Sequence, residues 1–288
     1  MPPKIAIEQD PLTPELVEKA ERELRETPER RQESLEELRK LLKDDGTLHY
    51  KTTDDILLRY LRPTKFYPKS ALSLMKREAE FKAKHQEILK DLMPEQLERI
   101  LLNENVINVF ADRDQLGRRV LLYRAGKAWD TGRVSPDQVF QMFYLVHQGA
   151  LLEPATQVNG VVVILDFDGL GMSQVLALNP TFSRRLLAFI QEAMPLRLKE
   201  VHIVNQPWLF GMVWKLFQPL VKEKLRKRLH FHGTKLQELH KFMQKEYLPE
   251  DYGGSLPKMD YSSKDWYPVL RSLDKFIREN NTFGLVMK

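Results

Sequence analysis

Three groups of residues in this 288-residue sequence have the types and spacing that chemistry uses. His230 and His232 stand two apart in LHFHG, so a strand would point both imidazoles to one side, as metal ligands need. Zinc sites take a third and fourth ligand from cysteine, histidine or carboxylate. The chain has no cysteine, and no neighbouring carboxylate completes the set, so no metal is expected. Asp166 and Asp168 resemble paired carboxylates for acid–base work. Lying at the end of the apolar run VVVILDF just before Gly169, they read more simply as turn and cap residues. His147 sits inside an apolar segment, where it is either a satisfied interior histidine or the hydrogen-bond partner of a ligand hydroxyl. There is no G-x-S-x-G elbow and no P-loop, and the GLGM of DGLGMS fails G-x-G-x-x-G. Neither an enzyme nor a bound cofactor is therefore expected.

The charge is more informative. The whole chain is formally +5, yet the segment Arg184–Lys235 holds eleven Lys or Arg against three Glu, so the remainder is net acidic. Such asymmetry points to an anionic partner, either lipid headgroups or nucleic acid, beside the plainer alternative of a solvated helix face. Nucleic acid calls for aromatic side chains interleaved with exposed basic ones. In QPWLFGMVWKLFQPLVKEKLRKR the aromatics come first, in an apolar block, and the charges follow. Nucleic acid is therefore not expected.

Between Trp208 and Val221 apolar residues occupy every angle of a helical wheel, interrupted by Lys215, Gln218 and Pro219. Fourteen residues rise only about 21 Å, less than the roughly 30 Å of a bilayer core, so this is not a membrane span. Two readings remain: a helix buried on both sides, or one that covers an apolar cavity with one face and meets lipid with the other. Lys224 and Arg228 lie one helical turn apart, and Arg197 and Lys199 precede the neighbouring strand. The four are placed to converge at one end of a sheet, where docking on an anionic membrane gains about 1 kcal/mol for each basic residue.

The elements that must position these residues follow from periodicity and punctuation. Pro14 opens a helix to Glu26, and Pro28 opens another with Leu35, Leu38, Leu41 and Leu42 on one stripe. Thr52 and Thr53 are caps for DDILLRYLRP, which Pro63 should end. A helix from Pro68 puts Leu72, Met75 and Ala79 on one face, with Glu78 and Lys82 supporting the other. Residues 1–103 thus read as a helical N-terminal domain. From Val106 strands alternate with helices: VINVF, RRVLLY, a helix capped by Ser135 with Pro136 first, VVVILDF, a helix Pro180–Met194, VHIVN, a helix Trp208–Leu225, and LHFHG. That order implies a mainly parallel sheet with helical crossovers in a second domain, residues 104–288, ending in a helix over Trp266, Leu270, Leu273 and Ile277. With no secretory apolar run and no eighteen-residue uncharged stretch, a cytoplasmic protein is expected, reducing conditions suiting the absence of cysteine.

In these stretches the chain resembles the CRAL-TRIO lipid-transfer family, and within it the tocopherol-carrying branch. The matching segments are DDILLRYLRPTKF (54–66), GRRVLLYRAGKAWD (117–130), NGVVVILDFDGL (159–170), PLRLKEVHIVNQPWLF (195–210), KEKLRKRLHFHG (222–233) and LPEDYGG (248–254), in family order over about 200 residues. The resemblance implies an α/β fold: a helical N-terminal domain, then a lipid-binding domain whose cavity is closed by a lid helix at about 205–225. It implies a monomeric cytosolic carrier of one hydrophobic lipid, tocopherol-like or retinoid-like, that exchanges its cargo at phosphoinositide-containing membranes, endosomal ones among them. By matching, Arg197, Lys199, Lys224 and Arg228 would bind the phosphoinositide headgroup. A fifth basic position of the family is Thr64 here, with Lys65 beside it. The cavity wall would draw on Tyr123, Phe140, Phe143, Tyr144, His147, Val161, Ile164, Leu165, Leu187, Ile190, Met194, Leu196, Val201, Phe210, Val213, Trp214 and Phe217. Two serines of the related carriers fall at Phe143 and His147, so a narrower cavity is expected. The rival within the same resemblance is a phosphoinositide-binding membrane adaptor that moves no lipid.

Overall fold

Prolines and threonines set the helical first third of the computed structural model, which describes residues 5–286. Thr13 and Thr27 each accept a hydrogen bond from a backbone amide of the first turn they cap, with proline next at the first helical position. This starts Pro14–Leu24 and Pro28–Asp45. Helix Asp54–Leu61 stops two residues before Pro63, and the Thr64 hydroxyl donates to the carbonyls of Tyr60 (2.6 Å) and Leu61 (3.2 Å). With Pro68–Lys84 these helices bury Leu24, Leu35, Leu38, Leu57, Leu61 and Met75 in a core of their own, which Phe283 joins from the far end of the chain. The same return pairs Gly284–Leu285 antiparallel with Leu48–His49.

Glu78 departs from the expected solvent-facing role. Its side chain is buried, accepting from the Tyr60 hydroxyl at 2.6 Å and the Tyr50 hydroxyl at 3.4 Å, and burial pushes its pKa up. Lys82 does not pair with it directly; its ammonium donates to the carbonyl of Asn280 at 2.7 Å. The two tyrosines, 18 and 28 residues before Glu78 in the chain, satisfy the carboxyl, and spacing on a single helix does not show them.

The second layer is a five-stranded sheet: β1 (Ile107–Val109), β2 (Arg119–Arg124), β3 (Val161–Asp166), β4 (Leu198–Val204) and β5 (Leu229–Phe231), in that spatial order. β1 runs antiparallel to β2, and the rest are parallel. The crossover helix Pro136–Leu151 starts with a reciprocal box, in which Ser135 caps the Gln138 amide and the Gln138 side chain caps Ser135. Helix Pro180–Ala188 continues as a π turn, Phe189–Ala193, and seats Phe189 edge-on to Phe140, Phe143 and His147.

Two expected helices are each broken. Trp208–Leu225 resolves into helix Phe210–Phe217, a 3₁₀ turn Gln218–Leu220 and a short helix Glu223–Arg226. Pro219 has no amide to continue the α-helical ladder, which accounts for the change at that point. The C-terminal helix likewise splits at Leu273 into Ser263–Ser272 and Asp274–Asn281.

Candidate functional site

Strand parity builds the cavity. Val161, Val163 and Leu165 of β3 face one side of the sheet, and Val162 and Ile164 the other. The first set, with Leu121 and Tyr123 of β2 and Val201 and Ile203 of β4, forms the floor of an apolar cavity of about 230 Å³. Helix Pro136–Leu151 contributes Phe140, Phe143 and His147. The segment after Pro180 adds Leu187, Ile190, Met194 and Leu196, and the helix Phe210–Phe217 closes the space with Phe210, Val213, Trp214 and Phe217. Two residues expected on this wall lie elsewhere. Ile164 points into the core behind the sheet with Phe110, Val120 and Leu122, because its parity is opposite to that of Val161. Tyr144 turns away toward Phe189, stacking on Phe140 with its ring tilted against His147. Not anticipated were wall residues from both chain ends, Ile5 and Ile7 at one and Trp266, Leu270 and Leu273 at the other.

Among the described residues, two buried polar atoms of the wall have no partner: the Tyr123 hydroxyl and Nε2 of His147. His147 is 4% exposed, and burial pushes its pKa down to about 4, so the ring is neutral at physiological pH. Its Nδ1 lies 3.2 Å from the Tyr144 carbonyl, which can only accept, so Nδ1 carries the proton and Nε2 is a bare acceptor. An unsatisfied buried acceptor costs about 1–3 kcal/mol, a penalty that a hydroxyl donor would remove.

The other chemical candidates serve structure. Asp166 accepts from the Asp168 amide (3.0 Å), the Asn205 side chain (2.9 Å) and the Tyr252 hydroxyl (2.9 Å), tying the strand ends together. His230 and His232 share the face behind the sheet with His202. His232 Nε2 meets His202 Nδ1 at 3.0 Å, and Phe242 covers the His230 ring. Glu200, beside His202 and 2.8 Å from Arg118, has its carboxyl held down to about 2.

The closing helix has an outer face of unusual character. Trp208, just before it, is 86% exposed, and Met212 is exposed one turn on, while Phe210 and Val213 are buried. Helix Met172–Ala177 packs alongside and exposes Met172 and Leu176, the latter 71%. The reading with a cavity on one side of the helix and an open face on the other is therefore the one realised.

From this patch the chain runs directly into the basic residues. Lys224 is exposed on the short helix Glu223–Arg226, and Arg228 follows, donating to the Leu198 carbonyl. Arg197 and Lys199 lie at the start of the neighbouring β4. Gly160 makes that approach possible: its φ is +84°, and a Cβ there would stand 2.3 Å from the Arg197 carbonyl oxygen and 2.8 Å from Lys199 Cγ. Partial burial first, then the charges of Arg228 and Lys65, lower the Lys224 pKa, so Lys65 belongs to the same field. Burial and then Arg197 lower both Lys199 and Arg228. Sequence did not show the carboxylate that meets Arg197 and Lys199. Glu23, from the first helix, pairs with Arg197 at 2.8 Å and Lys199 at 3.7 Å. Burial opposes its ionisation, but the Arg197 hydrogen bond and the surrounding cations outweigh that and hold its pKa below the usual range.

No helix among the described residues is long and apolar enough to cross a membrane. Residues 103–254 match the model of the CRAL/TRIO domain. Clavesin-1 of Pongo abelii is 31% identical over 252 residues, covering 86% of this chain and 71% of that one. An alpha-tocopherol transfer protein-like protein of Mus musculus is 32% identical over 270 residues, covering 93% and 78%. The crystal structure of Sfh5 superposes with a TM-score of 0.47 at 18% identity, covering 70% of this chain and 76% of that one. With a family model over more than half its length and relatives above 30% identity across most of it, the chain belongs to the CRAL/TRIO family of lipid-binding proteins.

Proposed function

We propose that this protein is an intracellular, cytoplasmic carrier that holds one hydrophobic lipid in the cavity and exchanges it at phosphoinositide-containing membranes, acting as a monomer and without chemical turnover. The observation that carries the reading is the helix Phe210–Phe217: its inner face closes an almost wholly apolar cavity, and its outer side shows Met212, with Trp208 of the preceding turn, to solvent. A helix so placed trades contact with the cavity for contact with acyl chains when it docks. Arg197, Lys199, Lys224 and Arg228, with Lys65, form the headgroup cleft beside it. The cargo is tocopherol-like or retinoid-like, a mostly apolar molecule carrying a hydroxyl for Nε2 of His147 or the Tyr123 oxygen. Phe143 and His147, expected to narrow the space, both stand on the wall of a cavity of about 230 Å³, which is below the roughly 300–1,000 Å³ of drug-sized ligand pockets.

The test is transfer of fluorescent tocopherol, and separately of retinol, from donor vesicles to acceptors with and without phosphoinositide. A carrier accelerates transfer, and more so to phosphoinositide acceptors. Lys224→Glu with Arg228→Glu should weaken vesicle binding and leave lipid retention in solution intact. Binding to anionic vesicles with neither lipid moved would support the adaptor instead, and unchanged vesicle binding in the double variant would remove the cleft assignment.

A further inference from the structure

The closing helix covers the β4–β5 side of the cavity, where Trp214 packs on Phe231. At the opposite side, over the start of β2, the sheet and the crossover helix Pro136–Leu151 do not complete the wall alone. It is completed by Ile5, Ala6 and Ile7, a stretch without regular secondary structure. Ile5 and Ile7 are half-buried against the cavity. Ile7 lies over Gly149, where an added Cβ would stand 3.2 Å from Ile7 Cδ1 and 3.5 Å from Leu273 Cδ1, so the glycine leaves the seat for this side chain.

A ring of charge holds the stretch from outside. Arg119 donates to the Ala6 carbonyl at 3.0 Å, and the Glu8 amide donates to Glu153 at 3.1 Å. The Glu8 carboxylate pairs with Arg113 at 2.7 Å and Arg119 at 3.1 Å, and both arginines also pair with the buried Glu153. Arg119 and Glu153 themselves line the cavity. Glu153, Arg113 and Arg119 remain paired with one another without Glu8, whose side chain is 46% exposed. When the clasp opens, each arginine keeps Glu153 as a partner and the cluster carries one net positive charge, unlike a pair in which one partner would be left alone.

We propose that the cavity has a second mouth at this end, between the start of β2, the end of helix Pro136–Leu151 and helix Ser263–Ser272, and that Ile5–Glu8 is its displaceable plug. Inside the mouth stand Ile107, Val109, Leu270 and Leu273, so what passes or protrudes there is the hydrocarbon end of a lipid rather than its polar head. That identity rests on the carrier reading; the existence of the mouth does not.

The chain has no cysteine, so a single introduced thiol reports on its own position. Ala150→Cys puts one beside Gly149 on the wall next to the plug, and Val213→Cys puts one under the closing helix. The rate of N-ethylmaleimide labelling is measured without any lipid in each background, with Glu8→Arg or Ile7→Asp added, thermal melts confirming that each variant is folded. Opening of the plug raises labelling of Ala150→Cys tenfold or more and leaves Val213→Cys unchanged. Unchanged labelling at Ala150→Cys overturns the proposal, and so does equal acceleration at both positions, which would mean general loosening. Because no lipid enters the measurement, it succeeds or fails independently of the transfer assay.

Discussion

Glu23 and Arg197 lie 174 residues apart in the chain and meet at 2.8 Å, placing a carboxylate among the basic residues, where a phosphate would compete for the same guanidinium. Glu23→Gln removes a like charge from the path of an anionic headgroup. At about 1 kcal/mol per charge near the surface, affinity for phosphoinositide vesicles should rise about fivefold, less at high salt. Co-sedimentation at two ionic strengths measures this, and equal or weaker binding would show that Glu23 organises the cleft instead of competing within it.

Trp208 tests the outer face of the closing helix. Its side chain contributes little to the folded core, so Trp208→Ala should alter stability by no more than about 0.5 kcal/mol while lowering partitioning onto vesicles, since tryptophan favours the membrane interface. A melt and a vesicle titration, run together, separate the two effects. A large loss of stability with unchanged partitioning would argue that Trp208 packs in solution.

His147 sets a pH dependence. Unfolded, the imidazole takes a proton near 6.5; folded, burial holds it down to about 4. Between those values the unfolded chain binds more protons, so stability falls as pH drops through this window and is indifferent to His147 above about 7. The full contribution is about 3 kcal/mol at 1.36 kcal/mol per pKa unit. His232, also pushed down to about 4 by burial and then by His202 and His230, adds a slope of the same sign. Urea denaturation from pH 7 to 4 should therefore show a decline that His147→Leu makes shallower without abolishing. An identical slope in the variant would mean that His147 is solvated in the native state.

The pair Arg62–Glu26 is a stability prediction. Arg62 donates to both carboxylate oxygens of Glu26, at 2.9 and 2.8 Å, and to Gln157 at 2.7 Å, with both side chains of the ion pair buried. Glu26→Ala strands the guanidinium and should cost about 3–5 kcal/mol. Chemical denaturation reads this directly, and a loss below about 1 kcal/mol would mean that water reaches the site.

Phe143 tests the width of the cavity. Phe143→Ala should open room beside His147 and shift preference toward the bulkier chromanol of tocopherol over the slimmer retinol. The stability cost should fall below the 3–5 kcal/mol of a fully buried phenylalanine, because one side already faces the cavity. Competition binding of the two lipids gives the ratio, and an unchanged ratio would place the cargo away from this helix.

Much of the fold was legible because it rests on local signals. Proline and threonine mark the helix starts, the β-branched run Val161–Leu165 marks a central strand, and the alternation of strands and helices implies the parallel sheet. Even the misplaced Ile164 was decidable in principle, since two-residue periodicity forbids it from sharing a face with Val161. Tyr144 was not, because a helix apolar on nearly every side gives no angle to choose between the cavity and Phe189. Glu78 failed for a related reason: its spacing from Lys82 is that of a solvated pair, and only the packing of Tyr50 and Tyr60 against it makes burial affordable.

Family membership was legible from the matched motifs, and the order of the elements, the apolar helix and the basic run that follows it from neighbouring residues and their periodicity. Tertiary structure alone decided which face of the closing helix looks inward, that Glu23 enters the basic cleft, and that Ile5 and Ile7 complete a cavity more than a hundred residues away. These contacts join segments that share no periodicity, and they exist only because the folded core brings their backbones together.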